Sequence, residues 1–494
     1  MQRDSLRSAR AVHCRRGGTA PPAIPCESRE FREARKWGDF FSLWKLKLPK
    51  LPRLAPVLLA SLLLAACATP REPAQAPGGL DRISRDYVSL QLEIGARDEG
   101  YIDAYYGPPE WREAAEANPR SLEALAVAVA RLQVDLAATI VEAQAAALET
   151  GRQWPGLRRA EFLRAQLTAA ETRLRMLRGE RLSFAEEARG LYGVDLTGLI
   201  QPLSHYDPIL ARIEAMVPGT GPLAERVDAF TDRFIVPRGR LESVMRAAIA
   251  ECRRRTVAHI PLPQSEAFTL EFVTDKPWSG YNWYRGDYRS LIQVNTDQPT
   301  RMGRVVGLGC HEGYPGHHVL NTLLEQSLTR GRGWIEFSVY PLYSPQSFIA
   351  EGSANYGVEL AFPGSERLAF ERRALYPLAG LSSEGAETYL ALQDAIEELS
   401  GARFTIARDL LEGRITREQA IQLTQRYGLQ SRSRAAQTIA FTEQYRAYVI
   451  NYGLGQAMVK AYVERAGRNP ADRWAAMREL LSEPSLPGDL AGVP

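Results

Sequence analysis

The hydrophobic positions of this chain predict α-helices over most of its length. From Asp81 to about Arg255, apolar residues recur at spacings of three and four, and long stretches such as Leu122–Leu148 contain neither proline nor glycine. That spacing places the apolar side chains on one face of a helix. Helical periodicity resumes near Pro299 and continues to Glu483. We therefore expect a mainly α-helical protein.

Between the two helical regions, residues 268–297 have the composition of β-strands. The segments FTLEFVTD, GYNWYRGDY and SLIQVNTD are short, rich in β-branched and aromatic residues, and bounded by Pro, Gly or Asp. They predict one small β-sheet directly before a histidine-rich segment. The last strand is either an edge strand, which can hold an extended peptide through backbone hydrogen bonds, or the internal strand of a hairpin. Asn295, at its end, is a candidate substrate-binding residue.

The first 80 residues indicate export rather than a folded domain. We interpret residues 1–53 as an overlong start with a basic flank. Residues 54–66 (LAPVLLASLLLAA) are apolar, and Cys67 begins a Pro-, Ala- and Gly-rich linker to residue 80. A basic flank followed by a 13-residue apolar run is typical of a signal peptide, and this apolar run is too short to span a bilayer. A short buried helix is the alternative. LAAC also resembles the bacterial lipobox, so we expect an extracytoplasmic lipoprotein anchored through a lipid on Cys67, on the periplasmic face, at the outer membrane.

Composition and charge exclude several classes of protein. Of the 494 residues, 45% are hydrophobic and 24% charged, as in ordinary globular proteins. The first 66 residues hold 13 of the 61 basic residues but only 5 of the 58 acidic ones, so the rest has a net charge near −5 rather than +3. This is not the charge of a nucleic-acid-binding protein. Only Cys252 and Cys310 follow Cys67, which does not indicate a disulfide scaffold. Cys310, beside His311, is either a metal ligand or a small buried thiol, and we favour the thiol.

Three of the six histidines lie within eight residues, in the segment GCHEGYPGHHV at positions 309–319. Its start resembles the H-E-x-x-H pattern of zinc peptidases, but the second histidine is displaced. On a straight helix, His317 would lie about 240° around from His311, and His318 about 10.5 Å further along. Two nitrogens on one zinc ion are at most about 4.2 Å apart. A regular helix therefore cannot bring either pair onto one metal.

Pro315 and Gly316 supply the required distortion. The proline ring collides with the carbonyl group four residues back, which belongs to His311, and glycine accepts backbone angles that other residues avoid. The helix is therefore predicted to break or bulge between Glu312 and His317. A widened turn would bring His317 back toward His311.

Three motifs of this chain resemble those of a bacterial lipoprotein family catalogued as domain of unknown function 885. The family patterns are H-E-x-x-P-G-H, E-G-W-A and P-G-Q-A. They match here at His311, Glu312, Pro315, Gly316 and His317, then at Glu351, Gly352 and Ala354 with Ser353 in place of Trp, and at Gly455, Gln456 and Ala457 with Leu454 in place of Pro. The resemblance covers most of residues 81–494. The family is distantly similar to helical zinc metallopeptidases with a glutamate third ligand, which implies a single catalytic domain over residues 81–494: a large metallopeptidase-like helical domain with the sheet beside the metal-site helix.

Glu351 is the candidate third ligand. Ser344 is predicted to cap its helix and Pro345 to begin it, which places Glu351 on the apolar face. A buried carboxylate needs a cation or hydrogen-bond donors, either an Arg or Lys or a metal ion. With the histidine motif upstream, we favour the metal. His311, His317 and Glu351 then form the His₂Glu set of catalytic Zn²⁺ sites, with a fourth position for water.

Two neighbours of these ligands are candidate catalytic residues. Glu312 is adjacent to a ligand and is expected to take the proton from the metal-activated water, although a surface or salt-bridged glutamate is the alternative. His318 is a candidate to replace His317 as ligand, to support the site from outside, or to stabilise the oxyanion. His317 is favoured because it occupies the motif position and needs the smaller distortion.

The segment EQYRAYVINYGLGQA offers groups for the transition state and the substrate. Tyr445, Tyr448 and Tyr452 fall on one helical stripe, a pattern more typical of a core. Tyr452 is the favoured oxyanion donor because it adjoins the third motif. Arg446 is expected to bind a substrate carboxylate, and Gln456 is a further substrate-binding candidate.

Three functions fit these features. The favoured one is a zinc-dependent metallopeptidase that hydrolyses peptide or amide bonds and is tethered to the membrane. The second is a non-catalytic peptide- or envelope-binding lipoprotein whose metal is structural or absent. The third is a metal-assisted hydrolase acting on another type of bond.

Overall fold

The structure, a computed structural model, describes residues 79–151, 154–276 and 278–491. The first helices are α1 (Gly79–Gly95), α2 (Pro109–Ala117), α3 (Leu122–Thr150), α4 (Leu157–Leu177), α5 (Phe184–Tyr192), α6 (Asp207–Met216), α7 (Leu223–Thr231) and α8 (Arg238–Val257). The predicted mainly helical class is confirmed. The predicted signal peptide (54–66) and Cys67 lie outside the described residues.

The second helical region is interrupted more often than the sequence periodicity predicts. Its helices are α9 (Met302–Glu312), α10 (His317–Leu324), α11 (Pro345–Ala361), α12 (Glu366–Phe370), α13 (Tyr376–Ala379), α14 (Ala386–Glu397), α15 (Ala402–Leu411), α16 (Arg417–Tyr427), α17 (Arg432–Tyr445), α18 (Ile450–Ala466), α19 (Pro470–Ser482) and α20 (Pro487–Leu490). Short 3₁₀ segments lie at Leu203–Tyr206, Asp232–Phe234, Ile335–Ser338 and Arg446–Val449, and π-helical turns at Glu325–Arg330 and Glu371–Leu375.

In the described ranges, five strands form two small sheets: β1 (Ile102–Tyr105), β2 (Ala267–Val273), β3 (Gly280–Tyr284), β4 (Arg289–Asn295) and β5 (Val339–Pro341). The predicted sheet is the three-stranded one, in the order β2–β4–β3, with β2 parallel and β3 antiparallel to β4. The strand SLIQVN is therefore central, and of the two alternatives the internal strand of a hairpin is correct. The antiparallel pair β1–β5 was not predicted, because its short strands are far apart in the chain.

A disulfide bond joins Cys252 on α8 to Cys310 on α9. The expectation that Cys310 is a free buried thiol is therefore wrong. The two helices pack side by side and bring the two Cα atoms to 5.5 Å, a separation that a disulfide requires. The bond fixes the helix that ends at the histidine motif.

Helix α11 packs against α18 through two glycines, Gly352 and Gly455. A Cβ atom added at Gly352 would lie 2.6 Å from the backbone of Gly455, so no larger residue fits without moving the helices apart. The glycines of the second and third sequence motifs therefore form the close contact between helices α11 and α18. That contact holds Glu351, the neighbour of Gly352, against the segment that contains Tyr448.

Helix α3 leaves an apolar face uncovered. Val127, Val134, Val141 and Leu148 repeat every seven residues and are 65–85% exposed. Within the described part of the chain, this is the one helix long and apolar enough to cross a membrane by length and composition, and 22% of its apolar window is buried.

Candidate metal centre

The turn between α9 and α10 brings the two histidines of the first motif together. Helix α9 ends at Glu312 and α10 begins at His317, which confirms the predicted break. The amide of Gly316 donates to the carbonyl of Cys310 at 3.1 Å and closes a turn wider than a helical one. A Cβ atom at Gly316 would lie 1.7 Å from the carbonyl oxygen of His311. Close approach to that carbonyl is therefore the reason that this position requires glycine.

His311, His317 and Glu351 converge at this turn. The two Nε2 atoms are 3.1 Å apart, and Oε2 of Glu351 lies 3.3 Å from Nε2 of His311 and 3.8 Å from Nε2 of His317. All three separations are below the roughly 4.2 Å that two ligands of one zinc ion can span. The structure thus brings together the three residues that the sequence suggested as ligands.

The carboxylate of Glu351 is held by one oxygen and open at the other. Oε1 accepts a hydrogen bond from the Tyr448 hydroxyl at 2.7 Å. Oε2 is buried, has no hydrogen-bond donor among the described residues, and faces the two imidazoles. Although burial raises the pKa of Glu351, the nearby His311 outweighs it, so the pKa is lowered and the carboxylate is charged at neutral pH. A charged, buried oxygen without a donor is what a metal ligand requires.

Asn355 sets the protonation of His311. Its Oδ1 lies 3.0 Å from Nδ1 of His311, and its Nδ2 donates to the carbonyl of Tyr452 at 3.3 Å. Because an amide oxygen only accepts, Nδ1 of His311 carries a proton, which leaves Nε2 as the nitrogen that can bind a metal. Sequence reasoning missed Asn355. Its position four residues after Glu351, on the same face of α11, was the available signal.

The carboxyl group of Glu312 lies beside the cluster and not within it. Gly280 on β3 leaves the space for this side chain, since a Cβ atom there would lie 2.8 Å from Oε1 of Glu312. The backbone carbonyl of Glu312 accepts from Asn282 at 2.6 Å, so β3 also fixes its main chain. Burial raises the pKa of Glu312 to about 7, and the charges of Glu351 and Asp103 add to this effect. A carboxyl group with such a pKa can both accept and release a proton near neutral pH.

A cavity of about 1800 Å³ opens onto the cluster. Tyr452 lines it, and no described residue forms a hydrogen bond with its hydroxyl, so the role of oxyanion donor stays a prediction. Asp103 of β1 also lines it and accepts a hydrogen bond from the Tyr281 hydroxyl. Burial raises the pKa of Asp103 to about 7. Sequence reasoning did not single out Asp103 or Tyr281, and it considered Tyr448 only as one of three tyrosines among which it preferred Tyr452.

His318 lies outside the cluster, which corrects the expectation that it acts as a ligand or catalytic group. Its ring is fully buried, with Nε2 at 2.9 Å from a carboxylate oxygen of Glu266 and Nδ1 at 2.8 Å from the hydroxyl of Ser290. Both nitrogens are therefore occupied. One residue of helix rotation separates His317, which faces the cavity, from His318, which faces the sheet.

Arg446 is also placed differently from the expectation. Its guanidinium binds the buried carboxylate of Glu187 through Nε at 2.6 Å, and Arg446 does not line the cavity. It joins α5 to the segment after α17 and is not free to bind a substrate carboxylate. This correction follows from the fully buried Glu187, which needs a cation.

The other two predicted substrate-binding residues line the cavity but have protein partners. Nε2 of Gln456 donates to Glu359 and Glu397 at 2.9 and 2.6 Å. Nδ2 of Asn295 donates to the backbone carbonyls of Lys276 and Trp278, which lie between β2 and β3, both at 2.9 Å. Their substrate-binding role stays a prediction.

Comparison with known proteins adds little to this geometry. No family model matches the chain, and no curated protein matches it. Similar solved structures include a "putative lipoprotein" from Colwellia psychrerythraea, with a TM-score of 0.45, 16% identity, and coverage of 77% of this chain and 80% of the other. Another is a "putative lipoprotein of unknown function" from Shewanella oneidensis, with a TM-score of 0.41, 14% identity, and coverage of 81% and 73%. Similarity at this level does not establish a family or a function.

Proposed function

We propose that this protein is a zinc-dependent peptidase or amidase that works outside the cytoplasm. The observation that carries the proposal is the convergence of two imidazole nitrogens on a buried carboxylate oxygen that has no hydrogen-bond donor in the described part of the chain. Two imidazoles and one carboxylate are the ligand set of many catalytic zinc sites, and imidazole favours zinc over magnesium or calcium. The cavity is larger than a typical small-molecule site and suits a peptide.

A zinc ion held by His311, His317 and Glu351 would polarise an amide carbonyl and acidify a water molecule. Glu312 then acts as the general base: its carboxylate accepts the proton of the attacking water and passes it to the leaving amine. Its position beside the ligand cluster, and a pKa near 7, suit both steps. Tyr452, whose hydroxyl is not used by a described residue, is the group that donates to the developing oxyanion.

The place of action rests on the lipobox-like segment and on the disulfide bond. The predicted lipid on Cys67 would tether the protein to the periplasmic face of the outer membrane. The Cys252–Cys310 bond supports an oxidising compartment, because disulfides are rare in the reducing cytoplasm.

Zinc analysis combined with the Glu312→Gln variant tests the function. We expect about one zinc ion per chain in wild type and in Glu312→Gln, with peptide hydrolysis lowered about 10²- to 10⁴-fold in the variant because the base is lost. His311→Ala, the matched control, should lose the metal and the activity together. Full activity of Glu312→Gln would contradict the proposed role of this residue. A folded wild-type protein that stays free of zinc after zinc-replete purification would favour the peptide-binding alternative.

A further inference from the structure

The cavity contains cations that have no carboxylate partner. Most basic side chains that line it are paired, for example Arg301 with Asp232 and Arg367 with Glu371 at 2.9 Å. Among the described lining residues, three have no carboxylate oxygen within 4 Å: Arg304, Arg403 and Arg473. Arg473 donates instead to the carbonyl of Gly467 at 3.1 Å.

Of the other two arginines, Arg403 on α15 makes fewer hydrogen bonds to the described residues. Its Nε is buried and has no hydrogen-bond partner among the described residues, and its guanidinium carbon lies 5.2 Å from the ring centre of Phe441 and 5.8 Å from that of Tyr452. Aromatic rings attract the cation but accept none of its five N–H groups in the way that an oxygen does. A buried N–H group without an acceptor is unfavourable, so an arriving anion would gain both charge pairing and hydrogen bonds.

Arg304 lines the same cavity and lies on α9, the helix that carries His311. It precedes His311 by seven residues, which places both on one face of the helix about 10.5 Å apart along its axis. One of its terminal nitrogens donates to the hydroxyl of Ser279 at 2.9 Å, and the side chain is otherwise exposed to the cavity. Its charge acts on both His311 and Glu312.

We infer that Arg304 and Arg403 bind a carboxylate of the substrate and make the enzyme selective for peptides with a free C-terminal carboxylate. This inference rests on the proposed peptidase function. The fork of N–H groups on a guanidinium matches the two oxygens of a carboxylate and forms short charge-assisted hydrogen bonds. Every unmodified peptide has this group at its C-terminus, whereas Asp and Glu supply it only in some sequences. Arg304 and Arg403 therefore replace Arg446 as the residues that we expect to bind a substrate carboxylate.

The kinetic test uses short N-acylated peptides in three matched forms: a free C-terminal acid, a C-terminal amide, and an amide with one Glu side chain. We expect wild type to prefer the free acid by about 10- to 100-fold in kcat/KM, the range of a charge-assisted hydrogen bond. Arg403→Gln and Arg304→Gln should each reduce that preference, because each should lower kcat/KM for the free acid more than for the neutral amide. Arg403→Lys, which keeps the charge but not the fork, should recover part of it.

Arg473→Gln is the matched control. It also removes a cation that lines the cavity, but the guanidinium of Arg473 already has a backbone hydrogen-bond partner. It should keep the wild-type preference for the free acid. Equal hydrolysis of acid and amide by wild type would overturn the inference. An equal loss on acid and amide in Arg403→Gln would also overturn it. Preference for the Glu-containing amide over the free acid would assign the site to an acidic side chain and overturn selectivity for the C-terminus.

Equilibrium binding of an N-acetyl amino acid distinguishes this inference from the proposed function. The titration is done by calorimetry on the zinc-loaded Glu312→Gln protein, with the corresponding amide as a second titrant. If no peptide is hydrolysed by wild type but the acid binds at least tenfold more tightly than the amide, and Arg403→Gln removes the difference, the carboxylate site stands and the peptidase proposal fails. If peptides are hydrolysed and acid and amide bind equally, the peptidase stands and the carboxylate site fails.

Discussion

Replacing Asn355 with Leu tests how the protein prepares His311 for metal binding. Leucine is close to asparagine in size but cannot accept the hydrogen bond from Nδ1 of His311, which is 3.0 Å long in the structure. The imidazole then loses the contact that fixes its tautomer and ring orientation, and a buried N–H loses its acceptor. Leaving such a donor unsatisfied costs about 1–3 kcal/mol. Loss of a hydrogen-bond partner to a metal-binding histidine typically weakens metal binding about 10- to 100-fold, or about 1.4–2.7 kcal/mol. The two estimates agree.

The assay is a competition titration for zinc against a chelating fluorophore near neutral pH. We expect the Kd for zinc to rise about 10- to 100-fold in Asn355→Leu. Asn295→Leu is the matched control, since Asn295 lines the same cavity but its side chain bonds to backbone groups of Lys276, Trp278 and Asp297 and not to a proposed ligand, and the Kd of the variant should equal that of wild type. Thermal unfolding of both variants separates loss of the site from loss of the fold. An Asn355→Leu protein that is folded and binds zinc as tightly as wild type would refute the assignment of His311 as a ligand oriented by Asn355.

Three further predictions concern the scaffold of the site. Gly316→Ala should abolish tight zinc binding, because its Cβ would lie 1.7 Å from the carbonyl oxygen of the first histidine ligand, whereas Gly307→Ala, a control on α9 with open space at its Cβ, should bind zinc normally in the same titration. Replacing Cys252 and Cys310 together by Ser should lower the free energy of unfolding by about 4 kcal/mol in denaturant titrations, from the 58-residue separation that the bond closes; an unchanged midpoint would contradict this. Although burial raises it, hydrogen bonds from a histidine, a tyrosine and an arginine lower the pKa of Glu266 to about 2, below the ordinary 4.5. Ionised Glu266 therefore contributes about 3 kcal/mol to the free energy of unfolding above about pH 5, and this contribution is lost as the pH falls toward 2. Glu266→Gln should flatten the plot of unfolding free energy against pH over that range, and an equally steep plot would contradict the assignment.

The histidine turn and the start of the helix that carries Glu351 were predictable because local chemistry decides them. Proline and glycine at positions 315 and 316 forbid a continuous helix whatever surrounds them, and the structure has the break there. The helix that carries Glu351 begins at Pro345 after Ser344, as predicted. The hydroxyl of Ser344 nevertheless bonds to the Pro341 carbonyl instead of capping the helix. The boundary was thus correct for a partly different reason.

The tyrosine assignments depend on a bend that periodicity does not show. Tyr445, Tyr448 and Tyr452 share a stripe only if one helix contains all three. In the structure α17 ends at Tyr445, a 3₁₀ segment follows, and Arg446 has a φ of 53°, which is rare for a residue other than glycine. The change of direction turns Tyr448 toward Glu351 and Arg446 toward Glu187. The partners that impose it lie about 100 and 260 residues away in the chain, so no local pattern reports them.

The covalent link between Cys252 and Cys310 also affects how samples of this protein should be prepared. Cys310 directly precedes His311, so the bond anchors the segment that carries the first proposed zinc ligand. Material produced in the cytosol of a reducing host would contain molecules with and without the link, and the two populations would differ in metal content. Thiol quantification should therefore accompany every zinc measurement, and reductants such as dithiothreitol, which also chelate zinc, should be left out of the buffers.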